Sequence, residues 1–417
     1  MTENGLQGVP VEEGFLKIRD LEDLLGRKFV LDTASFYRWR MRQAADALQR
    51  ACFAAALHPL APQFSEYLDL RQELEAGRPV TVSPGLAQLA ADADNILTFR
   101  ESWDDGPSGS RHRYLARRLK NRSKVMHCLY EFRIARHFHL HGADVELRSP
   151  LCLPGWDIEL TANGVQLEAE CKYTYPWTGR RIHNPVFAWL LDALSSRFQA
   201  PRFPAVALTL VCQDRLRHED ISAICDSAVG LVLSGRERGV VGNSYTLLAE
   251  FLGPKPVAWS PRSSEQLINE IYRTHPYAHV AYVSQPPRAD PAHVSLVLVA
   301  YSRKSDKPVQ SFFKTVQSAA AQLSGEKPAI VAVHLPEVYR GPKQFDERWA
   351  VFQAFKRSAE QRRLQRVGQI MLTFESYGSD QPGVYQASGP AFHMTNGAAD
   401  HPIPSGFPGT TARVVSP

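Results

Sequence analysis

The chain has 417 residues, of which 44% are hydrophobic and 22% are charged, and its formal net charge is +5. This length suffices for two or three domains, and the composition is that of a globular protein, which excludes a fibrous or largely disordered chain. No run approaches the ~18–20 uncharged apolar residues of a membrane span, so we expect no membrane association and, by default, a cytoplasmic location.

Residues 1–110 are expected to form a helical N-terminal region. From Ser35 to Leu97 apolar side chains recur at a spacing close to 3.6 residues, and prolines divide the segment into short helices. The segment Trp103–Ser110 is typical of a linker. No motif in this region indicates a function.

Residues 111–214 predict an α/β core whose mixed sheet is flanked by helices. Asn163-Gly164 is a strong signal for a hairpin turn. The expected elements are a helix at 113–141, strands at 144–147, 156–160 and 165–173, a helix at 185–198 and a strand at 205–212.

Residues 215–375 predict a further α/β part, which either continues the same core or is a degenerate repeat of it. LVLVAYSRK (296–304) and AIVAVHL (329–335) resemble VQLEAECK (165–172) and AVALTLV (205–211). A duplication would explain this, but we favour the common strand–helix–strand order of α/β proteins. A charged helix is expected at 345–366, and the composition of residues 376–417 predicts a disordered tail.

The strand VQLEAECK carries the densest set of candidate functional side chains. Alternation along the strand places Glu168, Glu170 and Lys172 on one face and apolar side chains on the other. A solvated sheet face is one explanation. Helices on both sides of the sheet would instead cover this row, and buried charges are costly unless they are paired or bind a metal ion.

The preceding arm of the hairpin, WDIEL (156–160), repeats this alternation. It brings Asp157 towards the end of the partner strand that carries Glu170 and Lys172. Two adjacent carboxylates stay ionised only if a cation lies between them. Oxygen ligands with open coordination positions suit Mg²⁺ or Mn²⁺ rather than zinc.

Glu131 lies on the helix that precedes the sheet. It shares one stripe with Cys128, Ala135 and Phe138, so we expect its side chain to face the core. A carboxylate that reaches solvent or pairs with His127 one turn back is the alternative.

This arrangement resembles the PD-(D/E)xK, or restriction-endonuclease-like, nuclease superfamily. The resemblance rests on Glu131, on Gly155-x-Asp157, and on Glu170-x-Lys172 thirteen residues further on. It covers roughly residues 113–213, about a quarter of the chain. The chain departs from the pattern in two ways: its proline, Pro154, stands three residues before the aspartate, and the residues after the lysine match no particular subfamily.

The resemblance implies roles for these residues. Asp157, Glu170 and the backbone carbonyl of Cys171 would bind the divalent metal, Mg²⁺ or Mn²⁺, and Lys172 would orient and polarise the attacking water. Glu131 would hold a metal-bound water or a second ion. The neighbouring acid of the strand, Glu168, would be an auxiliary acid or a structural partner.

Two segments on either side of these motifs indicate a nucleic-acid partner, most readily DNA. Cations could contact phosphates, and aromatic side chains could stack on exposed bases. An ordinary solvated helix face explains the first segment about equally well. The candidate binding residues are Arg117, Arg118, Lys120, Arg122, Tyr173, Tyr175, Trp177, Arg180 and Arg181.

The motifs that are absent from the sequence exclude several function classes. There is no G-x-x-x-x-G-K-[ST] segment for a P-loop motor and no G-x-S-x-G elbow of an α/β-hydrolase. The six cysteines form no C-x-x-C pair, so neither a disulfide framework nor a zinc ribbon is expected.

The sequence therefore favours a metal-dependent endonuclease that hydrolyses DNA phosphodiester bonds, as in bacterial restriction, defence or repair. The flanking regions would supply target choice or oligomerisation, and a homodimer is one option. A catalytically inactive protein of the same fold that binds DNA or a partner protein is the first alternative. The second is that the carboxylate–lysine row forms a buried ion-pair network.

Overall fold

A computed structural model describes residues 11–43, 50, 53–54, 56–100, 110–148, 155–175, 178–198, 204–253, 257–258, 273, 278–285, 293–335, 364–374, 378–381, 384–386, 391–396 and 399–410. These residues form two compact units. Unit 1 comprises residues 1–35, 59–178 and 309–417, and unit 2 comprises residues 36–58 and 179–308. Unit 2 is thus largely an insertion into unit 1.

The prediction of an α/β fold is confirmed by the described elements. The helices are α1 (Val11–Leu25), α2 (Arg27–Gln43), α3 (Ala61–Glu75), α4 (Pro84–Arg100), α5 (Ser110–Lys120), α6 (Val125–Leu140), α7 (Asn184–Phe198), α8 (Ile221–Leu233) and α9 (Pro308–Ala320). The strands are β1 (Asp144–Leu147), β2 (Ile158–Ala162), β3 (Val165–Tyr173), β4 (Ala205–Cys212), β5 (Arg238–Val241), β6 (Tyr245–Gly253), β7 (Val257–Ala258), β8 (His279–Gln285), β9 (His293–Ser302), β10 (Ala329–Leu335), β11 (Gln369–Phe374), β12 (Gly378–Gln381), β13 (Val384–Gln386) and β14 (Ala391–Thr395).

Unit 1 contains a six-stranded mixed sheet in the order β1-β2-β3-β10-β11-β14. The first three strands are antiparallel, β3, β10 and β11 are parallel, and β14 is antiparallel. Asn163 (φ 52°) and Gly164 (φ 76°) both adopt the left-handed conformation that a two-residue hairpin turn requires, which fixes the register of β2 on β3.

Helices cover both faces of this sheet. On one face, Phe132 and Phe138 of α6 belong to the same buried cluster as Ala169 of β3. On the other face, Phe312 and Val316 of α9 pack with alternate residues of β10. Since both faces are covered, the acids Glu168 and Glu170 of β3 are removed from bulk water.

The N-terminal region is helical in its described part, and most of its helices pack onto unit 1. Buried side chains of α1, α3 and α4, such as Leu21, Phe64 and Leu89, belong to the cluster that covers the sheet of unit 1. Residues 36–58 belong to unit 2 instead. The linker predicted at 103–110 lies outside the described residues, except for Ser110 at the start of α5.

Unit 2 has its own sheet, in the order β5-β6-β4-β9-β7, with β8 also paired to β9. Its strands β4 and β9 are parallel, and α7 and α8 contribute to its core. The predicted boundary of the nuclease-like core at 111–214 is therefore wrong. The helix and strand expected to complete that core, α7 and β4, belong to unit 2, and β10 pairs with β3 in their place.

The predicted disordered tail is wrong for the residues described there. Strands β12 and β13 pair with each other, and β14 forms the edge of the sheet of unit 1. Phe407 is only 3% exposed and lies in the core. The helix expected at 345–366 lies outside the described residues up to 363, and residues 364–366 form a turn.

None of the helices described is both long enough and apolar enough to cross a membrane.

Candidate active site

Asp157 stands where the pairing of β2 with β3 ends. Its main-chain N–H donates to the carbonyl of Ala169 at 3.1 Å. Its carboxylate oxygen Oδ2 accepts a hydrogen bond from the N–H of Cys171 at 2.9 Å. The side-chain oxygen thus takes the place of the main-chain acceptor in the next hydrogen bond of the sheet. This bond holds the Asp157 carboxylate against β3.

Glu170 and Lys172 lie two residues apart on the same face of β3. The ammonium of Lys172 forms a short ion pair with Oε1 of Glu170. The Glu170 side chain is 1% exposed and that of Lys172 is 20% exposed, so the amine is at the solvent side of the pair.

The second carboxylate oxygen of Glu170, Oε2, is buried, and within the described part of the chain the only group placed to donate to it is the carboxyl of Asp157 in its protonated form. Leaving a buried acceptor unpaired costs free energy, and the cost is higher for an ionised group. When both acids are ionised, neither can donate to the other, and this oxygen is left without a donor.

The carboxyl groups of the site are held in an environment that opposes ionisation. Burial raises the pKa of Asp157 well above its ordinary value, and the charges of Glu131 and Glu170 raise it further. Burial also raises the pKa of Glu170, although Lys172 counteracts this. A divalent cation beside both carboxylates would reverse these shifts.

Lys172 remains an ammonium in this environment. Burial lowers its pKa, but the negative charges of Glu170 and Asp157 outweigh burial and raise the pKa above its ordinary value. It is therefore suited to donating hydrogen bonds and to stabilising negative charge, and not to accepting a proton.

Glu131 is buried on α6, as the stripe predicts, but its carboxylate is already engaged. The guanidinium of Arg118, on α5, donates to Oε2 and Oε1 of Glu131 at 2.7 Å each. Burial opposes the charge of Arg118, yet the bonds to Glu131 raise its pKa above its ordinary value. No local sequence pattern indicates this pair, because it joins two separate helices.

Glu168 is a structural partner and does not join the other acids. It is fully buried and accepts hydrogen bonds from the N–H of Ser324, at 2.7 Å, and from its hydroxyl. These bonds attach β3 to the loop that follows α9. The second of the two roles expected for Glu168 therefore agrees with the structure.

The donors at the site fit a hard divalent cation. Asp157, Glu170 Oε2 and the carbonyl of Cys171, which points to the same strand edge as its N–H, supply oxygen ligands only. Within the described residues, no three His, Cys, Asp or Glu side chains form a group that could by itself hold a metal ion.

Comparisons of the chain with protein-family models, curated proteins and solved structures find no match.

Several residues expected to contact nucleic acid are engaged elsewhere. Arg118 is largely buried against Glu131, and Tyr173 is buried and stacked on His334 with ring centroids 4.4 Å apart. In unit 2, Arg180 pairs with Asp306 at 3.4 Å and Arg181 with Asp214 at 2.8 Å. These contacts correct the expectation that the four side chains are presented to a ligand.

The remaining candidates differ in exposure. Arg117 and Lys120 are exposed on α5. Arg122 and Tyr175 are half-buried, and burial lowers the pKa of Arg122. Trp177 lies outside the described residues, as does Pro154.

A basic pocket on α5 is a feature that sequence reasoning missed. It has a volume of about 470 Å³ and is lined by Leu24, Arg113, Ala116, Arg117, Lys120 and Asn121. The spacing of Arg113, Arg117 and Lys120, at i, i+4 and i+7, places them on one helix face and could have indicated it.

His127 also lies near the site, although the sequence motif does not include it. Its ring contacts those of Tyr173 and Tyr175, with centroids 6.0 and 5.9 Å away. Burial lowers the pKa of His127, and the nearby charge of Lys172 lowers it further. A neutral imidazole therefore borders the ammonium.

Proposed function

We propose that unit 1 is a metal-dependent nuclease of the PD-(D/E)xK type that hydrolyses phosphodiester bonds, with DNA as the preferred substrate class. The observation that carries this proposal is the placement of two buried carboxyls, Glu170 and Asp157, side by side with the ammonium of Lys172. The order α6, β1–β3, α9, β10 supports it, since it is the expected helix, three strands, helix and strand with unit 2 inserted.

The residues of the site would divide the chemistry among them. Asp157, Glu170 and the Cys171 carbonyl would hold the metal ion, which when bound activates water and offsets charge on the phosphate. Lys172 would hydrogen-bond the attacking water or a phosphate oxygen and stabilise the negative transition state. The bond from the Cys171 N–H keeps the Asp157 carboxylate in place before any ligand arrives.

The basic face of α5 supports a polyanionic substrate. Arg113, Arg117 and Lys120 are exposed and line one pocket, where like charges at i, i+4 repel each other. A phosphate backbone would relieve this repulsion and release counterions. The same helix carries Arg118 into the site, so both features belong to one rigid element.

The decisive test combines cleavage with metal-linked stability. Wild-type protein is incubated with double- and single-stranded DNA and Mg²⁺ or Mn²⁺, beside Lys172→Ala and the exposed-lysine control Lys314→Ala. We expect cleavage by the wild type and the control only. We also expect each ion to raise the Tm of the wild type through binding to the native state, and not that of Asp157→Asn. Absence of both cleavage and a Tm response in the wild type would refute the proposal.

A non-cleaving protein that binds DNA is the second candidate. It is favoured by the closed ion pairs Arg118–Glu131 and Lys172–Glu170, which balance most of the charge at the site without a metal ion. In that case Mg²⁺ and Mn²⁺ leave the Tm unchanged, and Lys172→Met is tolerated because the acid it leaves can be protonated.

A further inference from the structure

We propose that unit 2 carries a contact surface for nucleic acid, formed by exposed cations on three adjoining loops, with the phosphate backbone of DNA as its ligand. The inference takes from the proposed function only the identity of the polyanion, and it involves neither the proposed metal ligands nor Lys172. The three loops are residues 179–183, 213–216 and 303–307, and together they are called the loop cluster.

The topology of unit 2 places two of these loops side by side. Strands β4 and β9 are parallel neighbours in which Cys212 is aligned with Ser302, so the loops that follow them leave the sheet at the same edge. The main-chain N–H of Arg303 donates to the carbonyl of Cys212 at 2.9 Å, which joins the second loop to the end of the first strand. In α/β sheets, ligands bind outside the carboxyl ends of the strands, and this edge is of that kind.

The third loop, residues 179–183 before α7, is attached to both of the others. The main-chain N–H of Lys307 donates to the carbonyl of Gly179 at 2.8 Å. The main-chain N–H of Leu216 donates to the carbonyl of Arg181 at 3.2 Å. Main-chain hydrogen bonds therefore hold the three loops against one another.

The two acids of the loop cluster bind side chains of neighbouring loops. Asp306 accepts a hydrogen bond from the main-chain N–H of Arg181 at 2.6 Å and pairs with the guanidinium of Arg180 at 3.4 Å. Asp214 pairs with the guanidinium of Arg181 at 2.8 Å and with the ammonium of Lys304 at 3.5 Å. Both acids, and the three cations that they bind, thus serve to connect the loops.

The remaining cations of the loop cluster are Arg215, Arg303 and Lys307, and all three are exposed. Their side chains form no ion pair with an acid in the part of the chain that the structure describes. Other exposed cations do pair with an acid one helical turn away, as Lys28 does with Asp32 at 2.6 Å. The loop cluster therefore presents positive charge that the fold itself does not neutralise.

The charge of the loop cluster favours a polyanion as its ligand. It contains six Arg and Lys residues and two Asp residues, so its formal net charge is +4, whereas that of all 417 residues is +5. Such a concentration of like charge attracts counterions, which a bound phosphate backbone would release. A row of phosphates can contact cations on several loops at once, which a single small anion cannot do.

The salt dependence of DNA binding tests this inference in the full chain. Binding of a labelled DNA duplex is measured by fluorescence anisotropy at several salt concentrations, with EDTA present to prevent metal-dependent cleavage. Arg215→Gln combined with Arg303→Gln should reduce the slope of log Kobs against log[salt] by about 1.8, since each phosphate contact contributes about 0.9. At about 0.1 M salt this means binding roughly 60-fold weaker, because the two lines meet near 1 M.

Two matched variants separate a local contact from an effect of net charge. Arg236→Gln combined with Arg238→Gln removes two exposed arginines at the start of the edge strand β5, and the slope should stay that of the wild type. Arg215→Lys combined with Arg303→Lys keeps the charge and should also keep the slope. The Tm in EDTA should be unchanged in all three variants, because the replaced side chains form no ion pairs among the described residues. If the glutamine double variant does not fold, Arg303→Gln alone should reduce the slope by about 0.9.

Several results would overturn the inference. They are an unchanged slope in the folded glutamine variant, an equal fall in the Arg236 and Arg238 control, and wild-type protein that binds phosphatidylserine vesicles or polyglutamate but not DNA. An unchanged slope beside intact metal-dependent cleavage would leave the nuclease proposal standing. A slope that falls as expected, in a protein that neither cleaves DNA nor responds to Mn²⁺, would overturn the nuclease proposal alone.

Discussion

Replacing Asp157 with asparagine should stabilise the metal-free protein, although it should abolish metal binding. The carboxyl of Asp157 is buried near Glu131 and Glu170, and its pKa is raised well above the ordinary value of 3.8. The folded state therefore binds this proton more tightly than the unfolded state does. The resulting stabilisation is fully present below pH 3.8 and is lost as the pH rises towards the folded-state pKa. A neutral amide does not suffer this loss.

A hydrogen bond adds to this effect at a pH where Asp157 is ionised, because a carboxylate cannot donate to Glu170 whereas an amide can. The asparagine oxygen can keep the bond from the Cys171 N–H, and its amide can donate to the buried Oε2 of Glu170. A buried unsatisfied group costs about 1–3 kcal/mol. For a unit of this size each kcal/mol shifts the Tm by roughly 2–4 °C, so Asp157→Asn should melt roughly 2–12 °C above the wild type.

Thermal unfolding in the presence of EDTA, at pH 5.5 and pH 8, measures this difference. We expect the advantage of Asp157→Asn to be larger at pH 8. With Mn²⁺ at about 100 times its Kd, the wild type should gain about 2.7 kcal/mol and the variant nothing, so the difference shrinks or reverses.

Asp92→Asn is the matched control. Asp92 is also a buried acid of unit 1, but it accepts two hydrogen bonds from Arg133, at 2.6 and 2.7 Å, so its replacement should lower the Tm with or without metal. If Asp157→Asn melts below the wild type in EDTA at pH 8, then Asp157 is not a destabilising group in the empty site, and the reasoning is refuted.

Three further predictions concern other parts of unit 1. Glu168→Ala leaves the N–H of Ser324 without an acceptor and should cost about 1–3 kcal/mol in urea unfolding, with the Mn²⁺ response retained. Arg113→Gln combined with Lys120→Gln should reduce the slope of log Kobs against log[salt] for DNA binding by about 2, as anisotropy titrations would reveal; an unchanged slope would remove the pocket from the interface. Phe407→Ala should cost about 3–5 kcal/mol in urea unfolding, and a neutral result would mean that the C-terminal segment does not pack.

The part of the site that is local in sequence could be predicted from it. The Asn163-Gly164 turn sets the register of β2 and β3, and alternation then decides which side chains share a face. Asp157, Glu170 and Lys172 all lie on this one hairpin, so their proximity follows from short-range rules. The environment of Oε2 of Glu170 does not follow from these rules, because it depends on which hydrogen-bond donors the rest of the fold brings near it.

The partner of β3 could not be predicted, since two strands fit the same description. AVALTLV and AIVAVHL are both short apolar runs that follow a helix, and either could lie beside β3 in a parallel sheet. In the structure β3 pairs with β10, and β4 pairs with β9. Each of the two similar segments thus contributes one strand to each sheet. The apolar pattern of the sequence does not indicate which strand joins which sheet.

Composition wrongly predicts disorder for the C-terminal segment because it averages over all of the residues there. Gly, Pro and Ser are abundant in residues 376–417, yet a few apolar side chains are enough to attach the chain to a core. Met394 packs with Ile370, and Phe407 joins the cluster that contains Phe138. Edge-strand pairing of β14 with β11 adds main-chain hydrogen bonds that no composition measure registers.

The pairing of buried acids shows what distinguishes the two acids of the hairpin. Three other buried acids of unit 1 accept hydrogen bonds from elsewhere in the fold: Glu131 from Arg118, Asp92 from Arg133, and Glu168 from Ser324. A buried oxygen without a donor is not special to the site, since Oε1 of Glu22 is another. Glu170 differs because its neighbour is a second carboxyl, Asp157, whose pKa is raised by burial and by the charges of Glu131 and Glu170. Under the proposed function, a cation between these two carboxyls would stabilise both in the ionised form.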